Sequence, residues 1–137
     1  MRAIVCGANG AMGKLIQNRL QTEVAGLVSI DGENGVPKTF EELGNVNADV
    51  IIDFSHHSAI KAVMEYAKAQ NCAVVVGTTG HTEEEKTVIR AASEKIPVFF
   101  SGNMSLGRTE IAVIKIRITV ILLVKIDQLP VIRQAFH

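Results

Sequence analysis

Three glycines at every third position, Gly7, Gly10 and Gly13, interrupt the apolar start of this chain. The apolar run at residues 3–6 predicts a short buried strand, and the helical spacing of apolar residues over 12–20 predicts a helix. A glycine turn between a strand and a helix lets the backbone approach a phosphate, whose charge the helix N-terminus favours. The spacing G-x-x-G-x-x-G is a variant of the commoner G-x-G-x-x-G, so the loop alone fits a phosphate site or a plain turn.

Strand and helix patterns alternate along the next ninety residues. Four further strands are predicted, at residues 24–30, 50–54, 73–76 and 97–100. Helices are predicted at 58–70 and, from a capping box formed by Thr82 and Glu85, at 82–95. The segment 32–47 predicts a loop with one helical turn at 40–43. This order predicts an α/β fold, a Rossmann-like open parallel sheet with helices on both faces.

The last thirty residues differ in character from the rest. In IAVIKIRITVILLVKI, residues 111–126, β-branched residues alternate with Lys115, Arg117 and Thr119, which favours a strand. We therefore divide the chain into a Rossmann-like domain at 1–107 and a strand-rich C-terminal tail at 108–137. An unpaired strand of this kind adheres to other strands, so we expect a homo-oligomer formed through the tail. The stretch is too short and too charged for a membrane span.

Length and charge exclude several classes of protein. The 137 residues suffice for one domain with a core, and 14 basic residues balance 14 acidic ones. No nucleic-acid or membrane partner is therefore expected. The N-terminus lacks the pattern of a secretory signal. Cys6 and Cys72 adjoin predicted buried strands, which indicates core thiols rather than a disulfide and a cytoplasmic location.

An acidic residue, Asp31, follows the second predicted strand, twenty-four residues after Gly7. This is near the position at which a carboxylate accepts hydrogen bonds from the ribose of a dinucleotide, although a turn residue before Gly32 would also fit. A carboxylate there repels a 2′-phosphate, and no arginine follows it. The pattern favours NAD(H), and NADP(H) stays open because Lys14 or Lys38 could moderate that preference.

Small and polar residues also end the three later strands. The stretches concerned are Asp53-Phe54-Ser55, Gly77-Thr78-Thr79-Gly80 and Ser101-Gly102-Asn103-Met104-Ser105. Each alone fits a loop or a helix cap. Ligands of an open parallel sheet bind beyond the carboxyl ends of its strands, so together these ends favour a cofactor laid across the sheet.

Four stretches, GANGAMG, IIDFS, VVGTTG and PVFFSGNMSLG, follow four of the strands in a recognisable order. Over residues 1–107 the chain resembles the N-terminal half of the 4-hydroxy-tetrahydrodipicolinate reductase family, also called dihydrodipicolinate reductases. The resemblance implies NADH- or NADPH-dependent reduction of a cyclic unsaturated dicarboxylate in diaminopimelate and lysine biosynthesis. It rests mainly on VVGTTG and N-M-S-L-G, which are more specific than the glycine loop.

The resemblance also implies roles for single residues. The pyrophosphate loop comprises Gly7, Ala8, Asn9, Gly10, Ala11 and Met12, and the adenosine ribose falls to Asp31. The residues implied for the nicotinamide side of the site are Phe54, Gly77, Thr78 and Thr79. The residues implied for the wall that leads to the substrate domain are Ser101, Gly102, Asn103 and Met104. The family usually has an arginine where Ala11 stands, so one possible phosphate contact is lost.

The catalytic pattern of the family does not follow Gly107. That pattern combines paired histidines, a lysine and a D-x-P-S-G-T run. His56, His57 and Lys61 have a different spacing and are interpreted as helix-start and surface residues, so no catalytic residue and no metal ligand is predicted. The loss of the pattern at Arg108 suggests the hypothesis of a truncated, frameshifted or rearranged gene product.

Three functions are compatible with these patterns. The first is the dinucleotide-binding part of a reductase of this family, with the chain alone inactive. The second is a module that binds a nucleotide without catalysis. The third is an α/β domain that has lost its ligand.

Overall fold

A computed structural model of the protein describes residues 2–100, in which strands and helices alternate as the sequence predicts. The strands are β1 (Ala3–Cys6), β2 (Val24–Val28), β3 (Val50–Asp53), β4 (Ala73–Val76) and β5 (Val98–Phe100). The α-helices are α1 (Ala11–Leu20), α2 (Phe40–Leu43), α3 (Ile60–Gln70) and α4 (Glu83–Ser93). Short 3-10 turns occupy Gln21–Glu23, Glu33–Gly35 and His57–Ala59. The tail predicted at 108–137 lies outside the described residues.

The five strands form one parallel sheet in the order β2-β1-β3-β4-β5. Their carboxyl ends lie in register, because Cys6 at the end of β1 pairs with Val28 of β2 and with Asp53 of β3. The chain continues to one side of β1 with β2 and to the other side with β3. This change of direction opens a crevice between the ends of β1 and β3, where ligands of doubly wound sheets bind.

Helices cover both faces of the sheet, as predicted. On one face, Ile16 and Leu20 of α1 pack with Ala3 and Val5 of β1. On the other face, residues of α3 and α4 pack against the side chains that alternate with these, among them Ile4 and Cys6. Burial on both sides explains why the strands are apolar throughout. Burying each large aliphatic side chain stabilises the fold by about 1.5–3 kcal/mol.

The ends of the helices on the second face follow local sequence signals. At α4 the Glu85 amide donates to Thr82 Oγ1 over 3.1 Å, and the Thr82 amide donates to Glu85 Oε1 over 2.8 Å. The predicted capping box is thus confirmed. Helix α3 ends at Asn71, whose φ of 54° lies in the left-handed region that asparagine tolerates.

The end of β2 differs from the sequence prediction. The strand stops at Val28 instead of residue 30, because the Ser29 amide donates to the Pro37 carbonyl over 2.9 Å and leaves the ladder. Ile30 consequently projects outward and is 82% exposed. The sequence could not show this, since an isoleucine after an apolar run normally continues a buried strand.

Two smaller observations bear on the predictions made above. Cys6 and Cys72 are buried free thiols, which confirms their interpretation as core cysteines. Between residues 2 and 100, no helix combines the length and apolarity that a membrane crossing requires.

Candidate dinucleotide-binding site

The first and third glycines of the loop after β1 have no room for a side chain. Gly7 has a φ of +78°, and a Cβ atom added to it would lie 2.6 Å from the carbonyl carbon of Phe54. A Cβ atom added to Gly13 would lie 2.9 Å from the Cα of Ala8. Gly10 is less restricted, because its nearest neighbour, the Gly7 carbonyl oxygen, would be 3.3 Å away. The loop therefore packs tightly against β3 and against its own helix.

The N-terminus of α1 opens at this loop without a side-chain cap. Its N-cap residue is Gly10, which has no side chain to offer the first-turn amides of Ala11 and Met12. Such amides lack partners within a helix and, with the helix dipole, attract anions. Gln17 steadies the loop from inside, because its Nε2 donates to the Ala8 carbonyl over 2.7 Å.

The backbone amide of Ala8 is already bonded within the fold. Ala8 is fully buried, and the amides of Gly7 and Ala8 both donate to the carbonyl of Val28, over 2.9 and 3.2 Å. Of the predicted pyrophosphate loop, Gly7 and Ala8 therefore fix its position at the end of β2. The amides that can face a ligand belong to the start of α1.

Asn9 joins the glycine loop to Asp31. Its Nδ2 donates to Asp31 Oδ1 over 2.7 Å and to the carbonyl of Glu33 over 2.9 Å. The Glu33 amide donates to the same Asp31 oxygen over 3.0 Å. The hydrogen bond from Asn9, and then that from the Glu33 amide, lowers the pKa of Asp31. The structure thus brings together two predicted site residues and presents an ionised carboxylate beside the loop.

The ends of β3 and β4 are in close contact. The Phe54 ring lies over Gly77, where an added Cβ atom would come within 2.8 Å of Phe54 Cε2. Thr78 is buried, and its hydroxyl donates to the Asp53 carbonyl over 3.2 Å and accepts from the Ser55 amide over 3.1 Å. Thr79 is exposed. Phe54 and Thr79 therefore reach the surface, whereas Gly77 is buried under the Phe54 ring and Thr78 ties the two strand ends together beneath.

Asp53, predicted only as one of the polar residues at the strand ends, is a buried carboxyl group. Its Oδ1 accepts hydrogen bonds from the amide and the hydroxyl of Ser55, and Oδ2 has no partner among residues 2–100. Burial raises the pKa of Asp53. The signal in the sequence was an aspartate that directly ends an apolar strand, a position where its carboxyl can bond the next turn.

A cavity of about 610 Å³ lies between the segment 38–45 and helix α3 and extends to the ends of β1 and β2. Its lining near the strand ends includes Gly7, Ser29, Ile30, Lys38 and Ser55. Ile30 is the large hydrophobic residue most exposed in the described part of the chain, and it stands at this cavity. Ile30 thus adds apolar surface at the edge of this cavity, and ligand pockets are lined mainly by apolar side chains.

Residues 1–104 match the family model described as dihydrodipicolinate reductase, N-terminus. The chain belongs to the dihydrodipicolinate reductase family. The 4-hydroxy-tetrahydrodipicolinate reductase of Caldanaerobacter subterraneus subsp. tengcongensis is 38% identical to it over 114 residues, which cover 78% of this chain and 45% of the relative. That of Clostridium novyi is 36% identical over 113 residues, covering 77% and 45%. The chain thus spans less than half the length of these relatives.

A solved structure shows the same fold. The dipicolinate-bound dihydrodipicolinate reductase from Paenisporosarcina sp. TG-14 superimposes with a TM-score of 0.60 at 19% identity. The superposition covers 76% of this chain and 48% of that one. The dihydrodipicolinate reductase family binds a nicotinamide dinucleotide, in agreement with the Rossmann-like sheet.

Three histidines lie near one another at the start of α3 and α4. His56 is exposed, as interpreted from the sequence, but His57 is only partly exposed and its Nδ1 lies 2.7 Å from Glu85 Oε1. His81 is buried, with its ring 5.4 Å from that of Phe100, and burial lowers its pKa. Within residues 2–100, no three His, Cys, Asp or Glu side chains are grouped to hold a metal ion.

The predicted wall towards the substrate domain, Ser101, Gly102, Asn103 and Met104, lies outside the described residues. The chain leads to it from β5, which ends at Phe100. The assignment of these four residues stays a prediction.

Proposed function

We propose that residues 1–107 are the dinucleotide-binding domain of a dihydrodipicolinate reductase and that they bind NAD(H). The observation that carries the proposal is the Asn9–Asp31 hydrogen bond, which fixes an ionised carboxylate beside the uncapped start of α1. A pyrophosphate requires the helix start, and an adenosine ribose requires the carboxylate. Both groups border the crevice at which such sheets bind their ligands.

The site fits a dinucleotide through features that a plain turn does not need. Gly7 and Gly13 let the loop pack tightly against the end of β3 and against α1, which holds the uncapped helix start at the strand ends. The exposed Ile30 offers an apolar surface to a base. Because Asp31 is ionised, it repels a ribose 2′-phosphate, which supports a preference for NAD(H) over NADP(H).

The proposed contacts follow the order of the strand ends. The pyrophosphate is held by the loop from Gly7 to Met12 and the ribose by Asp31. The nicotinamide lies towards Phe54, Gly77 and Thr79, with Thr78 as the link beneath them. Residues 101–104 continue this wall. The bound cofactor supplies a hydride, and the chain contributes by fixing the position of the ring from which it is transferred.

As part of a reductase, this domain serves the reduction of a cyclic unsaturated dicarboxylate, and we assign no proton donor to it. A nucleotide-binding module without catalysis is the alternative. Calorimetric titration with NADH and NADPH, followed by an assay of dicarboxylate reduction, separates the two. Binding without turnover by the chain alone, and turnover once a reductase C-terminal domain is joined to it, is the expected result.

Asp31→Asn tests the cofactor site itself, with Glu33→Gln as the matched control two residues away. We expect Asp31→Asn to weaken NADH binding about tenfold, because hydrogen bonds to a charged group are lost. Glu33→Gln leaves the Glu33 amide and carbonyl in place and should change the affinity less than twofold. If wild-type protein binds neither dinucleotide at about millimolar concentration, the proposal fails.

We further propose that residues 108–137 form a separate strand-rich tail through which the chain self-associates in the cytoplasm. The alternation in residues 111–126 supports the tail, and the free thiols of Cys6 and Cys72 support a reducing compartment. Light scattering of the full chain and of an Ile116→Lys, Ile118→Lys variant tests the association. A monomeric wild-type chain would disprove it, and cell fractionation tests the location.

A further inference from the structure

Two asparagines of this chain are followed directly by glycine, Asn9 by Gly10 and Asn34 by Gly35. An asparagine loses its side-chain amide when the backbone nitrogen of the next residue attacks the side-chain carbonyl carbon. Glycine favours this attack because it has no Cβ atom to obstruct it. Since the attacking residue is glycine in both pairs, the fold decides which of the two asparagines reacts.

Asn9 is held by hydrogen bonds on its side chain and on the glycine that follows it. Its Nδ2 donates to Asp31 Oδ1 over 2.7 Å and to the Glu33 carbonyl over 2.9 Å. The backbone nitrogen of Gly10, which would be the attacking atom, donates to the Gly7 carbonyl over 3.0 Å. Attack at Asn9 therefore requires the glycine loop to break these bonds first.

Asn34 and Gly35 lie in a more open turn. Both residues are exposed, and nothing lies within 4 Å of a Cβ atom added to Gly35. Asn34 has a φ of 59° and a ψ of 24°, so the peptide plane that joins it to Gly35 must rotate before the nitrogen meets the side chain. The open surroundings leave room for that rotation.

The bonds that oppose the rotation at Asn34 are longer than those at Asn9. Asn34 Nδ2 donates to Asn9 Oδ1 over 3.3 Å, and the Val36 amide closes the turn by donating to the Glu33 carbonyl over 3.1 Å. Exposed turns of this kind open locally at a small cost in free energy, whereas a loop bonded to its neighbours opens at a larger one.

We propose that Asn34 is a site of spontaneous deamidation and that the fold protects Asn9 from the same reaction. The Gly35 nitrogen forms a bond to Asn34 Cγ, the bond from Cγ to Nδ2 breaks, and the proton of the Gly35 amide leaves with the ammonia. A cyclic imide remains, which water opens to an aspartate or to its isomer, in which the main chain runs through the side chain. Water is the co-reactant, and nothing is oxidised or reduced.

The new carboxylate changes the proposed dinucleotide site, a consequence that rests on the proposed function. A carboxylate accepts hydrogen bonds and donates none, so the bond from Asn34 to Asn9 is lost. The reaction also adds a negative charge to the turn that carries Asp31, where an anionic cofactor is proposed to bind. We therefore expect the affinity for NADH to fall about threefold as Asn34 is converted.

The test of the reaction is incubation of the full chain at mildly alkaline pH, followed by mass spectrometry of its tryptic peptides. Trypsin cleaves after lysine and arginine, so the peptide 3–14 carries Asn9 and the peptide 20–38 carries Asn34, each as its sole asparagine. We expect Asn34 to be converted at least about tenfold faster than Asn9, because Asn9 must first break its side-chain bonds. In concentrated urea the two rates should approach each other.

Equal rates of conversion in the folded chain would overturn the proposal. A ratio of rates that urea leaves unchanged would also overturn it, because the local sequence and not the fold would then set the ratio. Conversion of neither asparagine would do the same. These readouts need no cofactor, so they stand even if the chain does not bind NADH.

Calorimetric titration with NADH tests the consequence for the site. Asn34→Asp carries the charge of the product, and Asn34→Gln is the matched control, since its longer side chain closes a larger ring much more slowly. Aged wild type and Asn34→Asp should bind NADH more weakly than fresh wild type, whereas aged Asn34→Gln should match fresh Asn34→Gln. Equal affinities of Asn34→Asp and fresh wild type would disprove this consequence. Failure of fresh wild type to bind NADH would instead disprove the proposed function.

Discussion

Asn9 Nδ2 lies 2.7 Å from Asp31 Oδ1, so the loop after β1 and the turn after β2 are held together by a side-chain hydrogen bond. This bond does two things at once. It orients the carboxylate, and it favours the ionised form, since it is the largest of the effects that lower the pKa of Asp31. The acidic residue and the phosphate loop of the proposed site therefore act as one unit.

Removing the side-chain amide of Asn9 should weaken cofactor binding even though Asp31, the proposed partner of the ribose, stays in place. We expect Asn9→Ala to raise the dissociation constant for NADH about tenfold, because Asp31 loses its orientation. The pKa of Asp31, followed by NMR of its carboxyl carbon, should rise. Asn34→Gly is the control, because it removes the longer bond from Asn34 Nδ2 to Asn9 Oδ1, 3.3 Å, and glycine adopts the φ of 59° found at this position. Equal affinities of Asn9→Ala and wild type would contradict this account.

Gly7→Ala should destabilise the fold far more than Gly35→Ala. The two glycines have nearly equal φ angles, +78° and +73°, but only Gly7 faces the Phe54 carbonyl, whereas nothing lies within 4 Å of a Cβ at Gly35. The positive φ costs about 1–2 kcal/mol at each position. The steric clash brings the total for Gly7→Ala to about 3 kcal/mol or more. Urea unfolding measures both, and similar losses would show that β3 moves away freely.

The sequence predicted the order of elements and the sheet because hydrophobic period and glycine spacing are local signals. Strands and helices of residues 3–100 lie where these signals place them, apart from element ends. The sequence also predicted that Gly7 and Asp31 belong to one binding site. The end of β2 was missed because Ser29 bonds to Pro37, a contact eight residues away that no periodicity records.

The remaining misses are side-chain contacts between elements. Nothing in the spacing of Asn9 and Asp31 indicates a hydrogen bond, and nothing in GTTG separates the buried Thr78 from the exposed Thr79. His57 and Glu85 are twenty-eight residues apart, so the contact between their side chains depends on how α3 and α4 pack. Such contacts follow from tertiary structure alone.

His57→Ala should lower stability slightly and leave NADH affinity unchanged. His57 is on the α4 side of the sheet end, where its Nδ1 lies 2.7 Å from Glu85 Oε1, and both side chains keep some exposure. The loss should be about 0.5–1 kcal/mol, as for other partly exposed pairs. His56→Ala is the control on the exposed neighbour. A large loss of NADH affinity in His57→Ala, measured by calorimetry, would instead place this histidine in the binding site.

His81 should make the fold less stable in mild acid. Burial lowers its pKa, and Glu85, His57 and Lys86 modify that shift through their charges. Below the ordinary histidine pKa of about 6.5 the unfolded chain therefore binds a proton that folded His81 resists. The free energy of unfolding falls as the pH drops through this range. His81→Phe should flatten that fall, and denaturant unfolding of both proteins from about pH 7.5 to pH 5 measures it. Parallel curves would contradict the prediction.

Asp53 should have the opposite pH dependence to His81, lowering the stability of the fold as the pH rises. Burial raises its pKa above the ordinary value near 3.8, so the folded chain binds a proton more readily than the unfolded chain. The contribution of Asp53 is therefore most favourable below that value and is lost as the pH rises through the folded pKa. Asn at this position accepts the same Ser55 hydrogen bonds through Oδ1 but cannot ionise.

The Asp53→Asn variant consequently gains stability relative to wild type as the pH rises from about 4 to 7. Urea unfolding at several pH values gives the difference in the free energy of unfolding. Asp49→Asn is the matched control, because Asp49 is exposed and its Oδ2 accepts from the Arg2 amide over 2.8 Å. A difference that stays constant with pH in Asp53→Asn would contradict the raised pKa of Asp53 in the folded chain.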